Sequence, residues 1–352
     1  MRIAAWMRFV PLLGIWTCGG QAEEHTSSRP YDATGSDVGS EGSNIDARFE
    51  GAMTDAGLTS DALSPQCRGA LTFGDPIVEE QVRALLAVDT GPIDADLAAQ
   101  LTSLVVDNVT SLSGLECLVN LSDLESGGGM IADLSPLARL TRLATLDVAF
   151  NHVTDMSPLA GLAQLSTLDV SNNNVTDLTP LAGLTQLTSI WLSSDPVVDL
   201  GPLAGLTRLT FLDLHSDQVA DLAPLAGLAQ LTHLEIENNQ VTDLAPLAKL
   251  TQLTWLDVSS NQVSNLAPLS SDYSLDFIFA SNNHVDSLSG LMLQTAPRCN
   301  GLDLSNNPIG TSEFTVPCAQ GWLCSWGGAD GIDAGGCGDS SACPPSVVGG
   351  GH

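Results

Sequence analysis

A repeat of about 22 residues constrains the fold of this chain more than any other feature. Nine successive units begin at Leu101, Leu121, Leu143, Leu165, Leu187, Leu209, Leu231, Leu253 and Leu275, and a degenerate tenth unit contains CNGLDLSNNPIG. The first two of these leucines are 20 residues apart, and each later pair is 22 apart. A fixed period of this size is typical of solenoids, in which a unit buries its leucines only against its neighbours.

Each unit follows the pattern LxxLxVxxNxVxDLxPLxxL, which has two halves. The first half alternates apolar and polar residues and predicts a short strand. The second half predicts a helical turn with a capping Asp before it, at Asp155, Asp177, Asp199, Asp221 and Asp243. Position nine is an amide that can bond to main-chain groups at the turn, as in Asn151, Asn173, Asn239, Asn261, Asn283 and Asn307. Asp195 and Asp217 replace it in two units, and Gly129 in one.

The period and the positional code resemble the leucine-rich repeats of the internalin type, in the bacterial class with a 22-residue unit. The resemblance covers residues 67 to about 310, including GLECL at 114–118 and the DPIVEEQVRALL segment before it. It implies an α/β solenoid with a parallel sheet on the concave side, 3-10 or helical turns on the convex side and an N-terminal helical cap. It also implies protein or glycan binding on the concave face, without catalysis. The sequence departs from the internalin pattern in three ways. We recognise no sortase-type anchor and no immunoglobulin-like sequence after the repeats, and the end of the chain is rich in cysteine.

The first 18 residues predict an export signal. Arg2 and Arg8 precede an apolar run that is too short to span a bilayer. The stretch Ile15-Trp16-Thr17-Cys18 resembles a bacterial lipobox, so Cys18 is the expected lipidation site, with ordinary signal cleavage as the alternative. We therefore expect a lipoprotein of the outer membrane or cell surface, and otherwise a secreted or periplasmic protein. A lipid on Cys18 would be its only attachment to a membrane.

The remaining segments differ in composition. Residues 19–66 are rich in Gly, Ser, Asp and Glu and predict a disordered acidic stalk. Residues 67–100 predict the helical cap, with Asp75 suited to the N-cap position and Pro76 to the first helical position. The solenoid is expected over 101–310, and a Cys- and Gly-rich C-terminal cap and tail over 311–352.

Eight cysteines in an exported chain favour disulfides over zinc or catalytic thiols. If Cys18 is lipidated, the disulfide candidates are Cys67, Cys117, Cys299, Cys318, Cys324, Cys337 and Cys343. Cys67 and Cys117 bracket the helical cap and the first unit, and a bond between them would staple the cap. The other pairings stay open, and one cysteine would be free or paired between chains.

The charge balance restricts the partners. With 41 acidic and 11 basic side chains, the chain has a formal net charge of −30 and would repel nucleic acid. A basic protein, a glycan or a divalent cation fits this sign. There is no DxDxDG calcium loop, so we expect neither a metal nor another cofactor. The protein is expected to be monomeric.

Positions three, five and seven of each unit point outward from the strand. Adjacent strands lie ~4.8 Å apart, so equal positions form columns along the sheet. Small residues occupy the early units, and aromatic rings occupy the later ones. Because clustered exposed rings are typical of binding sites, the predicted ligand-binding residues are Trp191, Phe211, Asp213, His233, Glu235, Trp255, Asp257, Phe277 and Phe279. Two alternatives stay open: the rings pack against the C-terminal segment, and the acidic residues of position five belong to the repeat template.

The remaining polar residues do not indicate catalysis. His215 is expected to form a surface ion pair with Glu237, which would raise its proton affinity. His215 and His233 should lie ~13 Å apart, too far to share a zinc ion. The sequence contains no GxSxG, HExxH or phosphate loop, and carboxylates on an open sheet are poorly placed for acid–base chemistry. We expect a non-catalytic recognition module, with a structural spacer or scaffold of the cell envelope as the alternative.

Overall fold

The computed structural model describes residues 67, 69–271, 274–288, 301–309 and 323–325, all within one compact unit, Leu63–His352. The predicted export signal, Cys18 and the stalk lie outside the described residues. So do Cys299, Cys318, Cys337 and Cys343, and all of the predicted C-terminal cap except 323–325. No helix in the described part of the chain has the length and apolarity needed to cross a bilayer.

The N-terminal cap consists of two helices, α1 (Pro76–Leu85) and α2 (Ala95–Ala98). Asp75 is the N-cap of α1, as the sequence predicts, and its Oδ1 accepts the N–H of Ile77 at 2.9 Å. Its Oδ2 accepts the N–H and the hydroxyl of Thr110 in the first unit, at 2.8 and 2.9 Å. Burial alone would raise the pKa of Asp75, but these hydrogen bonds lower it below its ordinary value. One carboxylate therefore caps the helix and joins it to the solenoid.

A disulfide also joins the cap to the first unit. It connects Cys67 and Cys117, which are 50 residues apart in sequence and 5.3 Å apart between Cα atoms. These are the two cysteines that the sequence analysis pairs. In the chain-entropy model, closing a loop of this length stabilises the folded state by ~4 kcal/mol.

In the described residues, eleven three-residue strands form one parallel sheet in chain order, which confirms the predicted solenoid. The strands are β1 (Ser103–Val105), β2 (Asp123–Glu125), β3 (Thr145–Asp147), β4 (Thr167–Asp169), β5 (Ser189–Trp191), β6 (Phe211–Asp213), β7 (His233–Glu235), β8 (Trp255–Asp257), β9 (Phe277–Phe279), β10 (Gly301–Asp303) and β11 (Leu323–Ser325). Within the nine units the register pairs equal positions, as in Thr145 with Thr167. The repeat therefore places position three beside position three along the sheet.

The sheet extends beyond the predicted end of the repeats at residue 310. β11 pairs in parallel with β10, and Gly301 and Leu323 are partners across this pair. Their spacing of 22 residues is the repeat period, although the leucine code has been lost between them. This strand was predicted to lie in the C-terminal cap, because it lacks the leucines of the repeat and keeps only its period.

Short 3-10 helices form the opposite side of the units. They are Leu115–Cys117, Ser135–Leu137, Ser157–Leu159, Thr179–Leu181, Gly201–Gly205, Ala223–Gly227, Ala245–Lys249 and Ala267–Ser271. The Asp two residues before each predicted turn accepts its first N–H, for example Asp155 from Ser157 and Asp243 from Ala245, both at 2.8 Å. Asp177, Asp199 and Asp221 make the same bond, so the predicted capping role is confirmed.

The core lies between the sheet and these turns. The inward residues of a unit are completely buried, as Leu165, Leu168 and Val170 show. Beside them, the asparagines of position nine bond to main-chain groups, as predicted, and these bonds also join each unit to the one before it in a hydrogen-bonded ladder. The ladder begins at Asn151, because a Cβ atom at Gly129 would lie 2.2 Å from the carbonyl oxygen of Val109. The interior of each unit is therefore completed only by its neighbours.

Candidate binding surface on the sheet

The candidate surface is the outer side of strands β5 to β9. In these strands the middle residue is buried and the first residue is partly exposed. This alternation follows from the period of two along a strand, and it places position three, and position five except at the buried Asp213, on the partly exposed side of the sheet. The parallel register then carries those side chains from unit to unit.

The aromatic side chains of this surface form one continuous array, which we call the ring stack: Trp191, Phe211, His233, Trp255, Phe277 and Phe279. The ring centroids of Trp191 and Phe211 are 4.6 Å apart, and those of Phe211 and His233 are 4.9 Å apart. The centroid distances from Trp255 to His233, Phe277 and Phe279 are all 5.0 Å. Five successive units thus contribute to the array, and the structure brings together all six predicted rings.

The rings present their edges, and not their faces, to solvent. The planes of Phe211 and His233 differ by 16°, and those of His233 and Trp255 by 11°. Each ring in the centre of the stack therefore covers the faces of its neighbours. Every ring is half-buried. What the central rings expose is therefore mainly their edges, which form an apolar ridge.

The carboxylates of position five have a structural role that the sequence analysis left open. Asp147, Asp169 and Asp257 each accept the N–H of the residue two positions on, at 2.8 to 2.9 Å. Asp213 does the same for His215 at 3.0 Å. These residues therefore belong in part to the repeat template. Glu235 instead lies 2.9 Å from Nε2 of His233 through its Oε1.

His215 was predicted to pair with Glu237, but it pairs with Asp213. Its Nδ1 donates to Oδ1 of Asp213 at 2.8 Å, and the Asp213 side chain is only 2% exposed. This hydrogen bond raises the pKa of His215 to about 9; burial opposes the shift, and the charges of Asp213, Glu237 and Glu235 add to it. Columns of equal positions indicate contacts between units, and they do not reveal a partner two residues away in the same unit.

Asp213, His215 and Glu235 place three potential metal ligands within 4.8 Å of one another. This group was not predicted, because only the pair of histidines was considered as a metal site. Positions five and seven of one unit, taken with position five of the next, would have revealed it. Nδ1 of His215 is already hydrogen-bonded to Oδ1 of Asp213, so two of the three potential ligand atoms are bonded to each other. We therefore describe the group as an ion-pair network that borders the ring stack.

The early units present a different electrostatic surface. Burial, and then the charge of Asp169, raise the pKa of Asp147 to about 6, although the Ala149 N–H lowers it. Burial and the charge of Asp147 likewise raise the pKa of Glu125. Carboxylates in this region face other carboxylates, whereas Asp213 and Glu235 face imidazoles. The outer side of the sheet is thus acidic in its early units and mixed aromatic and acidic in its later ones.

The repeats match a known sequence family. The family model for leucine-rich repeats matches two copies, at residues 163–204 and 229–271. No curated protein gives a significant match to the sequence.

Solved structures give the wider assignment. Internalin C2 from Listeria monocytogenes shares 32% identity, and the match covers 61% of this chain and 98% of that one with a TM-score of 0.60. An internalin from the same species, inlF, shares 28% identity over 72% of this chain and 90% of that one, with a TM-score of 0.50. The ectodomain of the Arabidopsis thaliana receptor kinase GASSHO1/SCHENGEN3, in complex with CASPARIAN STRIP INTEGRITY FACTOR 2, shares 20% identity over 62% of this chain and 28% of that one, with a TM-score of 0.53.

The sheet, the turns and the repeat match together define a leucine-rich repeat solenoid, a fold typical of protein-binding modules. Within this class, the chain belongs to the internalin-like leucine-rich repeat proteins, as its identity with internalin C2 along nearly all of that protein shows. The family was predicted from the 22-residue period and its positional code.

Proposed function

We propose that this chain is an exported, non-catalytic recognition module that binds a protein partner through the ring stack and the carboxylates beside it. The observation that carries the proposal is the continuity of the stack, in which neighbouring units place their rings 4.6 to 5.0 Å apart. The repeat requires only that inward positions be apolar. The outward rings therefore need an explanation other than folding, and aromatic clusters of this kind are frequent in binding hot spots.

The orientation of the rings favours a protein over a glycan. Sugars stack on the faces of aromatic rings, but the faces in the centre of this stack are covered by other rings. A ridge of ring edges offers apolar contact to a complementary protein surface instead. The fold also supports this choice, since leucine-rich repeats are used widely for protein recognition and the plant ectodomain cited above is in complex with a partner.

The charges favour a partner whose apolar patch is bordered by Lys or Arg. Glu235 and Asp257 are partners on neighbouring strands and lie partly exposed beside the rings, whereas Asp213 is buried against His215. The chain also has a formal net charge of −30, which would accelerate encounter with a basic surface and repel an acidic one. The partner we expect is therefore a basic protein, bound by rings at its centre and carboxylates at its border.

Export and anchoring form a separate part of the proposal. They rest on residues 1–18 and on Cys18 in its lipobox-like context. We expect replacement of Cys18 by Ser to move the protein from the membrane fraction to the soluble fraction, with loss of the lipid from the mature N-terminus by mass spectrometry. A soluble parent protein with an unmodified N-terminus would remove the lipoprotein assignment and leave ordinary secretion.

The binding proposal is tested by capture from cell-envelope and culture extracts on three immobilised forms of the chain. These are the parent, a ring variant with Trp191→Ser, Trp255→Ser and Phe277→Ser, and a control with Thr145→Ser and Thr167→Ser in the early units. Circular dichroism melting confirms that each form is folded. We expect a protein retained by the parent and the control, eluted by salt, and lost from the ring variant.

Other outcomes would each change the conclusion. Retention that survives protease treatment of the extract and disappears after glycosidase treatment would show that the partner is a glycan. Equal retention by the ring variant would remove the ring stack as the binding site. No specific retention on any form would favour the structural spacer over the recognition module.

A further inference from the structure

The asparagine ladder of position nine follows a constant hydrogen-bonding scheme. In Asn173, Oδ1 accepts the N–H of Val153 in the preceding unit at 2.8 Å. Its Nδ2 donates to three main-chain carbonyls, those of Val148, Val170 and Ser171, at 2.7 to 3.2 Å. Asn261 and Asn283 repeat this scheme in later units. Each such rung therefore needs one acceptor and one donor group from its side chain.

Two neighbouring rungs carry Asp and so lack the donor. Asp195 accepts the N–H of Val175 at 2.7 Å, and Asp217 accepts the N–H of Asp195 at 2.9 Å, both through Oδ1. The residues are buried, with 2% and 8% of their surface exposed. In both, Oδ2 is shielded from solvent and has no hydrogen-bond partner. These are the two positions in the ladder where an oxygen replaces an amide nitrogen.

The main-chain oxygen between them is also left without a donor. By the scheme of the other rungs, the carbonyl of Leu192 would receive Nδ2 from position nine of its own unit and of the next, which are Asp195 and Asp217. The hydrogen bonds of the described residues include none to this oxygen. Three oxygen acceptors are thus buried together, and leaving such groups unpaired is costly.

Protons satisfy this arrangement better than a metal ion does. A carboxylic acid has the shape of a carboxamide and supplies one O–H donor where the ladder otherwise has an N–H. The donor–acceptor distances in the flanking rungs, 2.7 to 3.2 Å, suit a hydrogen bond. Calcium needs six to eight oxygen ligands, but only three unpaired oxygens are identified here.

The charged groups around the pair also favour protonation. The charge of Asp169, in the preceding unit, acts on Asp195, and the charges of Asp195 and Asp213 act on Asp217. His215, the cation of this region, is hydrogen-bonded to Asp213. The pair therefore has acidic neighbours and no cationic group bonded to it.

We propose that Asp195 and Asp217 are buried proton-binding sites that complete the ladder when protonated and loosen the junction of their two units when ionised. The pair lies in the units that contribute Trp191 and Phe211, the first rings of the stack. The proposal is nevertheless independent of the proposed function, since it concerns the folded chain alone. Its consequence is a solenoid that is weakest here in alkaline conditions.

The direction of the pH dependence follows from the titration of the pair. Burial is the largest influence on both groups, and it raises the pKa of Asp195 to about 7 and that of Asp217 to about 8, while main-chain hydrogen bonds lower both. Both values lie above the ordinary 3.8 of an unfolded Asp. The folded state therefore retains protons that the unfolded state has released, so the stabilisation is complete below pH ~4 and is lost as the pH rises through ~7 to ~8.

The test compares the melting temperature of the full chain with that of a D195N/D217N variant between pH 4.5 and pH 8.5. The variant restores the asparagine ladder. We expect similar melting temperatures near pH 4.5 and a variant that melts higher by ~5 °C or more at pH 8.5. A control with Asp221→Asn and Asp243→Asn, at exposed turn caps, removes the same two charges and should show no such divergence.

A second variant and a second observable keep the test decisive. Asn239→Asp places a third carboxyl in the ladder and should make the loss of stability with pH steeper than in the parent. The infrared difference spectrum of the parent minus the D195N/D217N variant near pH 6 should show a buried carboxylic acid band. Parallel pH curves for the parent and the variant, or absence of this band, would overturn the proposal. A parent that is stabilised at pH 8.5 by calcium and destabilised by a chelator would assign the site to a metal ion instead.

Discussion

The early and late units of the solenoid share one backbone and one interior but have different outer surfaces. Leu146 in β3 and Leu256 in β8 are both completely buried at the centre of their strands. At position three, however, Thr145 and Thr167 of the early units correspond to Phe211 and Trp255 of the late units. The difference shows that folding specifies the inward positions, while the outward positions are available for recognition.

The largest expected effect tests whether the two interiors are equivalent. Leu146→Ala and Leu256→Ala each leave a cavity in a fully buried layer, so each should lower the free energy of unfolding by about 3 kcal/mol. Urea denaturation followed by circular dichroism measures both. Leu256→Ala could instead lower the free energy of unfolding by over about 1.5 kcal/mol more than Leu146→Ala does. That result would mean that the ring stack supports the core, and that the two regions differ in their interiors as well as in their outer surfaces.

Replacement of a position-five Asp by Asn should have an intermediate effect on stability, with opposite signs in the two regions. Asp213→Asn removes the charge that His215 faces and should destabilise the protein by about 2 kcal/mol near pH 6. Because the pKa of His215 is raised to about 9, this contribution is complete below pH ~6.5 and is lost as the pH rises through about 9. Asp147→Asn keeps the acceptor for the Ala149 N–H and removes a carboxylate that faces Asp169, so it should stabilise.

The pH dependence of Asp147→Asn completes this prediction. The pKa of Asp147 in the parent is raised to about 6, so the parent loses stability between pH ~4 and about 6. The gain in stability from the Asn substitution should therefore be absent below pH ~4. Above pH 6 we expect the Asn variant to have a free energy of unfolding about 1 kcal/mol higher than the parent, after allowance for solvent screening of this partly exposed group. Denaturation at pH 4, 6 and 9.5 measures both variants. The same sign for the two at pH 6 would contradict the electrostatic distinction between the regions.

The smallest expected effect concerns the outward rings. Phe211→Thr removes the ring between Trp191 and His233 and should cost about 1 kcal/mol of stability, which is the usual value of aromatic pairs. Thr167→Phe adds a ring in the early region and should change stability by less than about 0.5 kcal/mol. Thermal melting of both variants gives the comparison. A large loss for Thr167→Phe would show that the early face has a structural requirement for small residues.

The fold was largely predictable because the units share one sequence pattern. The inward leucines, the capping Asp residues and the asparagine ladder follow from local rules that nine copies repeat, and Asp75 follows from helix capping. β11 was not anticipated, because Leu323–Ser325 keeps the period while losing the leucines. Periodicity without composition is a weak signal in a single sequence.

The candidate site was predictable in its membership and less so in its geometry. The register of the strands places Phe211, His233 and Trp255 side by side, which columns of equal positions already indicate. The orientation of the rings, the pairing of His215 with Asp213 and the unpaired Oδ2 of Asp195 depend on side-chain rotation. A sequence pattern does not specify rotation, because the same residue can point its polar atoms along the strand or across it.

The hydrogen bonds of the asparagine ladder join only neighbouring units, and this has a consequence for how such a protein changes during evolution. Each rung bonds within its own unit and to the unit before it, as Asn261 does with Ile236, Val241 and Val258. Duplication or deletion of a 66-base-pair gene segment that encodes one 22-residue unit would therefore preserve every type of interior bond. Duplication of the unit that carries Trp255 would lengthen the ring stack by ~4.8 Å. The length of the contact surface is thus a heritable quantity that recombination can adjust in fixed steps.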